Sequence, residues 1–338
     1  MSAALLDAVG ADGVDAGVAW HYGDPLREQR LFTEGAAVVD RSNRDVLTVS
    51  GQDRLSWLHT ICSQHVADLT DGESTEALVL SPHGHVEQHW QLAELGGTIW
   101  IDTEPSQATT VLGYLTTMRF LKRVEPLDVS AQWSVLTVAG PSTDQILAAA
   151  GLPTPEAGRT VALPAGGFVR AIAEPVVGMD LVIAAESIAE VVATLIDAGA
   201  ELAGMWAYDA LRVERRVPRL GFETDHRTIP HEVGWIGSAV HLNKGCYRGQ
   251  ETVARVQNLG RPPRRLVLVH LAGDSEQLPA QGTPIELGGR TVGFLGTAVH
   301  HHELGPIALA VIKRTIADEA GLTVGGTGLA IDPAEPAG

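Results

Sequence analysis

Apolar residues along this chain fall into short β-branched runs and helical stripes, and their order sets the expected fold. Val46-Leu47-Thr48-Val49-Ser50-Gly51 is a β-branched run closed by glycine, which predicts a strand. Behind it, Leu55, Leu58 and Ile61 recur at helical spacing. The same phrase returns at Val135-Leu136-Thr137-Val138-Ala139-Gly140, followed by a helical stretch over residues 142–150. Two strand–glycine–helix phrases predict two related halves, each an antiparallel sheet with helices on one face.

Between the phrases, residues 75–80 and 86–92 read as strands joined by the turn Ser81-Pro82-His83-Gly84-His85. Residues 98–102 form a further strand, and Val111, Leu112, Leu115, Met118 and Leu121 mark a helix over 107–121. A short helix is expected near 24–32. After the second phrase come a Pro/Gly-rich loop over 153–167 and strands at 169–173 and 180–184. A helix over 187–198 has Ser187 and Glu190 at capping-box positions, and another over 207–217 is stopped by Pro218. Arg261-Pro262-Pro263-Arg264 reads as a boundary, because paired prolines end regular structure. Short strands at 266–271, 284–287, 290–295 and 307–312 predict a small β-barrel or sandwich, with a frayed tail over 331–338. The expected fold class is α+β in three parts: residues 1–48 with 133–255, residues 49–132, and a C-terminal barrel over 262–335.

Composition narrows the function classes. The 338 residues are 45% hydrophobic and 19% charged, which fits packed domains rather than disorder. A formal charge of −17 argues against nucleic-acid binding by the surface at large. Yet residues 241–265 hold Lys244, Arg248, Arg255, Arg261, Arg264 and Arg265 against the single acid Glu251, a local basic patch suited to a small anion. No apolar run approaches a membrane span and no basic leader precedes one, so a cytoplasmic, soluble protein is expected, with no membrane partner. The two cysteines, Cys62 and Cys246, supply neither a disulfide framework nor a complete metal or cluster site.

The densest chemistry lies in Lys244-Gly245-Cys246-Tyr247-Arg248-Gly249-Gln250-Glu251. Its glycines permit positive φ and close backbone approach. If a helix starts after Gly249, its dipole, Lys244 and Arg248 would all favour the thiolate of Cys246. On a strand, His83, His85, Glu87 and His89 would share a face, a weak metal pattern that a solvated hairpin edge also produces. The run His300-His301-His302-Glu303 reads as a solvated loop.

Residues 244–251 resemble the signature of the YgfZ family of folate-binding proteins, which is tied to iron–sulfur cluster assembly and repair and is similar to the glycine-cleavage T-protein, an aminomethyltransferase. The resemblance runs more weakly from about Asp40 to about His270. It implies an aminomethyltransferase-like fold around a tetrahydrofolate cavity, with iron–sulfur proteins or assembly factors as partners. It implies catalytic roles for Cys246, Lys244 and Tyr247 in the signature loop at the cavity rim. Cofactor-binding roles follow by the same resemblance for Arg44, Gln88, Tyr208, Glu232, Arg248 and Gln250. A pteridine would use an aromatic or guanidinium plane to stack on and an amide or carboxylate for its ring edge. The aspartate that assists catalysis in aminomethyltransferases has no match, since no aspartate occurs between Pro82 and Asp102. Val177-Gly178-Met179-Asp180 stands where those enzymes carry a Gly-Glu-Asp-Gly stretch. The resemblance therefore implies a folate protein that is not an aminomethyltransferase. The alternative is a tetrahydrofolate-dependent one-carbon transferase or demethylase acting on a substrate other than glycine, with His89 or Glu87 moving the proton.

Overall fold

A computed structural model describes residues 8–172, 176–273 and 277–333. The chain opens with a small hairpin of β1 (Val9–Gly10) and β2 (Ala19–His21), then α1 (Pro25–Glu34) and β3 (Ala37–Asp40). Next come β4 (Asp45–Ser50), α2 (Arg54–Ile61), β5 (Glu73–Leu80), β6 (Val86–Leu95), β7 (Thr98–Thr103), α3 (Ala108–Thr117) and β8 (Glu125–Asp128). The second half repeats the pattern with β9 (Trp133–Ala139), α4 (Thr143–Ala149), β10 (Thr160–Ala162), β11 (Phe168–Ala171), β12 (Gly178–Ala184), α5 (Ile188–Asp197) and β13 (Glu201–Ala203). Helices α6 (Met205–Glu214) and α7 (Gln250–Leu259) lead to the barrel strands β14 (Arg264–Leu271), β15 (Pro284–Leu287), β16 (Arg290–His301), β17 (Gly305–Lys313), β18 (Leu322–Val324) and β19 (Thr327–Ile331).

One sheet has the order β5-β6-β7-β4-β8, and the other β10-β11-β12-β9-β3-β13. Their first five positions correspond strand for strand, all antiparallel, with β13 added in parallel to β3. The repeated phrase is the centre of each half. Both of its glycines have positive φ, and a Cβ there would lie 2.2 Å from the Arg123 carbonyl oxygen at Gly51 and 2.5 Å from that of Gly35 at Gly140. Each glycine lets the strand turn into its helix against a neighbouring backbone.

Each sheet buries one face under its own helices. Leu47, Val49, Trp90, Leu92, Ile99 and Ile101 pack with Trp57, Leu58, Val111 and Leu115. Leu136, Val138, Val169 and Leu181 pack with Ile146, Leu147, Val192 and Leu195. Fully buried Trp57 and Trp90 are each worth roughly 3 kcal/mol or more by the cost of truncation. The C-terminal strands close into a barrel, β14-β17-β16-β15-β18-β19. Its outer face packs Leu268, Val299, Ile307 and Leu309 on Ala210 and Val213 of α6, whose other side faces Val39 and Ala139. Arg264, just past the paired prolines, also bonds Asp225 and Glu232 and fastens the barrel to the loop between α6 and α7.

Some expectations shift. The chain crosses between sheets at residues 41–44, so β4 lies whole in the five-stranded sheet, and a division at residue 48 would cut it. The loop over 153–167 contributes edge strand β10. Ser187 is already helical and makes no side-chain cap, because a 3-10 turn precedes α5. The run at 300–303 is solvated only at Glu303: His301 is buried, its ring lies 4.5 Å from that of His302, and the His302 backbone N–H donates to Gln29. The tail beyond residue 333, and Ala173 of the strand expected at 169–173, lie outside the described residues.

Candidate functional site

The inner faces of the two sheets change character along their length. At one end, Val46, Trp100, Val135, Phe168 and Val182 make an apolar seam, with the Trp100 ring edge-on to Trp133 and Phe168. Two residues along each strand, on the same face, stand Arg44, Asp102, Thr137, Arg170 and Asp180. The strands thus deliver an apolar row and then a charged row to the same interface. A cavity of about 250 Å³ opens where the rows turn polar, at the small end of ligand pockets of roughly 300–1,000 Å³. Arg41, Arg44, Glu76, His89, Tyr208 and Trp235 are among the residues that line it.

The charged wall is one alternating chain of cations and carboxylates. Arg219 donates to Asp15 at 2.6 and 2.7 Å and to Glu104 at 2.6 Å. Arg44 donates to Glu104 at 3.1 Å and to Asp102 at 3.0 Å. Arg170 bridges Asp102 and Asp180, both at 2.7 Å. Arg41 ends the chain, 3.5 Å from Asp180 and donating to Thr137 and to the Tyr208 hydroxyl at 3.1 Å each. Burial raises the Asp102 and Glu104 carboxyls, but Arg170 and Arg44 around the first, and Arg219 and Arg44 around the second, outweigh it and hold both at about 2. Burial likewise opposes the Arg44 charge, and Asp102 and Glu104 overcome it. Every member is paired, so the wall is charged without being a net anion or cation sink. Arg41 is the least saturated cation. It lies 4.6 Å over the Tyr208 ring and presents a guanidinium–phenol surface to the cavity.

A second polar unit stands on the five-stranded sheet. His89 Nε2 lies 2.7 Å from Glu76 Oε2, and Gln91 donates to the same oxygen at 3.2 Å. The His89 ring packs against Trp235 with centroids 4.7 Å apart.

The resemblance-derived residues divide sharply. Arg44 and Tyr208 line the cavity. Gln88 does not: β6 alternation turns it to the helix side, where it accepts from Trp90 Nε1 at 3.0 Å. Glu232 accepts the Ile229 backbone N–H and two bonds from Arg264, so it fastens the barrel and is absent from the cavity lining.

The signature loop also lies behind the cavity wall, not at its rim. Lys244 is buried and gives all three ammonium protons to carbonyls of His59, Cys62 and Gln64, at 2.5, 2.7 and 2.7 Å. Two of these carbonyls cap the C-terminal end of α2, where a cation is favoured. Desolvation lowers its pKa, and the ammonium is committed to that helix end. Tyr247 is buried with Leu78, Val86 and Val253 and with the cavity residues Val233 and Trp235, and burial pushes its phenol up to about 12. Arg248 bridges outward to Glu87 at 3.1 Å, and Gln250 donates to the Lys244 carbonyl at 3.3 Å. Helix α7 does begin directly after Gly249, within the signature stretch, with Gly249 at φ 81°. A Cβ on Gly249 would sit 2.6 Å from the Ser81 carbonyl oxygen, and one on Gly84 2.6 Å from Thr252, so the loop and the β5–β6 turn interlock through glycines. Cys246 alone of the loop's chemical residues is exposed and unburdened by structural bonds, while Cys62 is buried.

The alternating histidines do not converge. His83 and His85 lie in the turn, Glu87 pairs with Arg248, and only His89 reaches the cavity. Among the described residues, no group of three or more His, Cys, Asp or Glu is placed to hold a metal ion. Reading the sequence missed Arg41, Glu76, Asp102, Glu104, Arg170, Asp180 and Arg219. The available signal was charge at inward positions of otherwise apolar strands, as in Trp100-Ile101-Asp102.

Fold and cavity together define an α+β protein of the aminomethyltransferase architecture with a closed six-stranded barrel at its end. The structure superposes on the glycine cleavage system aminomethyltransferase T from Bartonella henselae with a TM-score of 0.86, covering 97% of this chain and 93% of that one at 17% identity. Residues 11–155 match the GCVT N-terminal domain, and residues 264–337 match the CAF17 C-terminal β-barrel domain. An aminomethyltransferase of Symbiobacterium thermophilum is 26% identical over 82% of this chain and 78% of its own length. A putative chloroplastic transferase of Arabidopsis thaliana is 26% identical over 86% of this chain and 69% of its own. Among the described residues no helix is long and apolar enough to cross a membrane.

Proposed function

We propose that this chain binds a reduced folate, tetrahydrofolate or a close relative, in the central cavity and serves iron–sulfur cluster assembly or repair through the exposed Cys246. The observation that carries the reading is the cavity itself. It is lined by a guanidinium–phenol platform, Arg41 over Tyr208, facing paired carboxylates and amides that suit the edge of a flat heterocycle. Its volume of about 250 Å³ suits a ring system, with a longer tail left outside. The GCVT-type match supports the folate, and the CAF17-type barrel supports the cluster role. Cys246 then works from the outer surface, on iron–sulfur proteins or assembly factors, as a nucleophile or transient ligand.

A tetrahydrofolate-dependent one-carbon transfer is the second reading, favoured by the aminomethyltransferase relatives and by one polar pair in the cavity, His89 with Glu76. Glu87 leaves that reading, since it points outward to Arg248.

Calorimetric titration of tetrahydrofolate into the wild-type protein and into Tyr208→Ala tests the folate. Micromolar binding that weakens at least tenfold in the variant is expected. Absence of binding at millimolar ligand would sink it.

A further inference from the structure

The pair on β5 and β6 has the geometry of an oriented base. Glu76 Oε2 takes the Nε2 side of the His89 ring at 2.7 Å, while Gln91 adds a bond to the same oxygen. Burial raises the Glu76 carboxyl, but hydrogen bonds from His89, Ser238 and Gln91 oppose that and it stays lowered, so a carboxylate faces Nε2. A carboxylate accepts only, hence the ring's proton belongs on Nε2 and its lone pair on Nδ1. Among the described residues Nδ1 has no hydrogen-bond partner. The side chains of His89 and Glu76 are 13% and 14% exposed, withdrawn from bulk water yet part of the cavity lining. Trp235 fixes the ring plane, and Thr103 donates to the His89 carbonyl at 2.8 Å, holding β6 in place. The other charged groups on this face are Asp102 and Glu104 from β7 and its end, with Arg44 between them, all committed to one another; Ser238 and Trp235 come from the loop after α6.

We propose that His89, oriented by Glu76, is the cavity's proton acceptor, taking the proton of an N–H group on a flat heterocyclic ligand. In the transfer the Nδ1–H bond forms as the ligand N–H bond breaks. The ligand nitrogen keeps the electron pair, and the imidazolium rests on the Glu76 carboxylate. His89 is the acceptor and Glu76 a positioning residue. The ligand class rests on the folate reading; the orientation of the imidazole does not.

Two measurements separate the claims. Nitrogen NMR of the histidine rings in the free protein, assigned with His89→Gln, is expected to show His89 as the Nε2–H tautomer, and Glu76→Gln is expected to mix the tautomers. A Nδ1–H tautomer in the wild type overturns the proposal whatever folate does. With tetrahydrofolate bound, the His89 ring nitrogens are expected to move to imidazolium positions, because the Nδ1–H bond forms while Nε2–H is kept. Calorimetric titration is expected to show tetrahydrofolate binding His89→Gln at least tenfold less tightly than the wild type. A neutral His89 ring in the complex overturns the acceptor role. No heat from tetrahydrofolate with either protein overturns the folate reading, and the ring tautomer still decides the orientation.

Discussion

Lys244 and Cys246 are two residues apart and illustrate how unlike neighbours can be. The ammonium of Lys244 fills the space beneath α2 with three short bonds to carbonyls. Replacing it by methionine keeps the volume but strands those acceptors, at a cost of about 2–3 kcal/mol. Urea denaturation measures this, and a loss below 1 kcal/mol would mean water replaces the ammonium. Cys246→Ala touches an exposed thiol, so its stability should stay within about 0.5 kcal/mol of wild type. Iron–sulfur enzyme activity in cells relying on that variant should nevertheless fall to the level without the chain. Unchanged activity would remove the thiol from the function. The sequence could single out this loop because it concentrates unusual side chains. It could not separate the structural lysine from the free thiol, because the acceptors for Lys244 lie some 180 residues earlier in the chain.

At the scale of elements, the two strand–glycine–helix units were legible because period-2 apolar runs, glycine and helical spacing are all local signals. The hairpin at 81–85 and the barrel after Pro262-Pro263 were legible for the same reason. The cavity wall was not, because it depends on which faces of two sheets meet, and that is decided by strand order. Gln88 shows the difference: one residue separates it from His89, and alternation puts one behind the sheet and the other in the cavity. The duplication carries its own test. At both Gly51 and Gly140 an alanine would need positive φ and would drive Cβ against a backbone carbonyl, at 2.2 and 2.5 Å. Gly51→Ala and Gly140→Ala should therefore each destabilise by more than about 2 kcal/mol. Denaturant midpoints compare them; a mild effect at either site would show that the two turns are not equivalent.

For the whole molecule, the charged chain from Asp15 to Arg41 joins the N-terminal segment, both sheets and the segment after α6 around one cavity. That union makes stability depend on pH in a definite direction. Asp102 and Glu104 have folded-state values of about 2, below the ordinary carboxyl range, so their contribution is complete above about pH 5. It is lost as pH falls from there through about 2, because the unfolded chain takes up protons first. Stability measured between pH 7 and pH 3 should accordingly decline steeply below pH 5. Arg44→Met should lower stability at pH 7 by about 3–5 kcal/mol, since Asp102 and Glu104 each lose a buried cation. The same variant should begin its acid decline at higher pH, because the carboxyls it leaves behind are easier to protonate. Added salt should rescue neither effect, as these groups are shielded from counter-ions by burial. If Arg44→Met were instead as acid-resistant as wild type, the charged chain would be a set of independent pairs, and the cavity would owe its shape to the apolar seam at Trp100 and Phe168 alone.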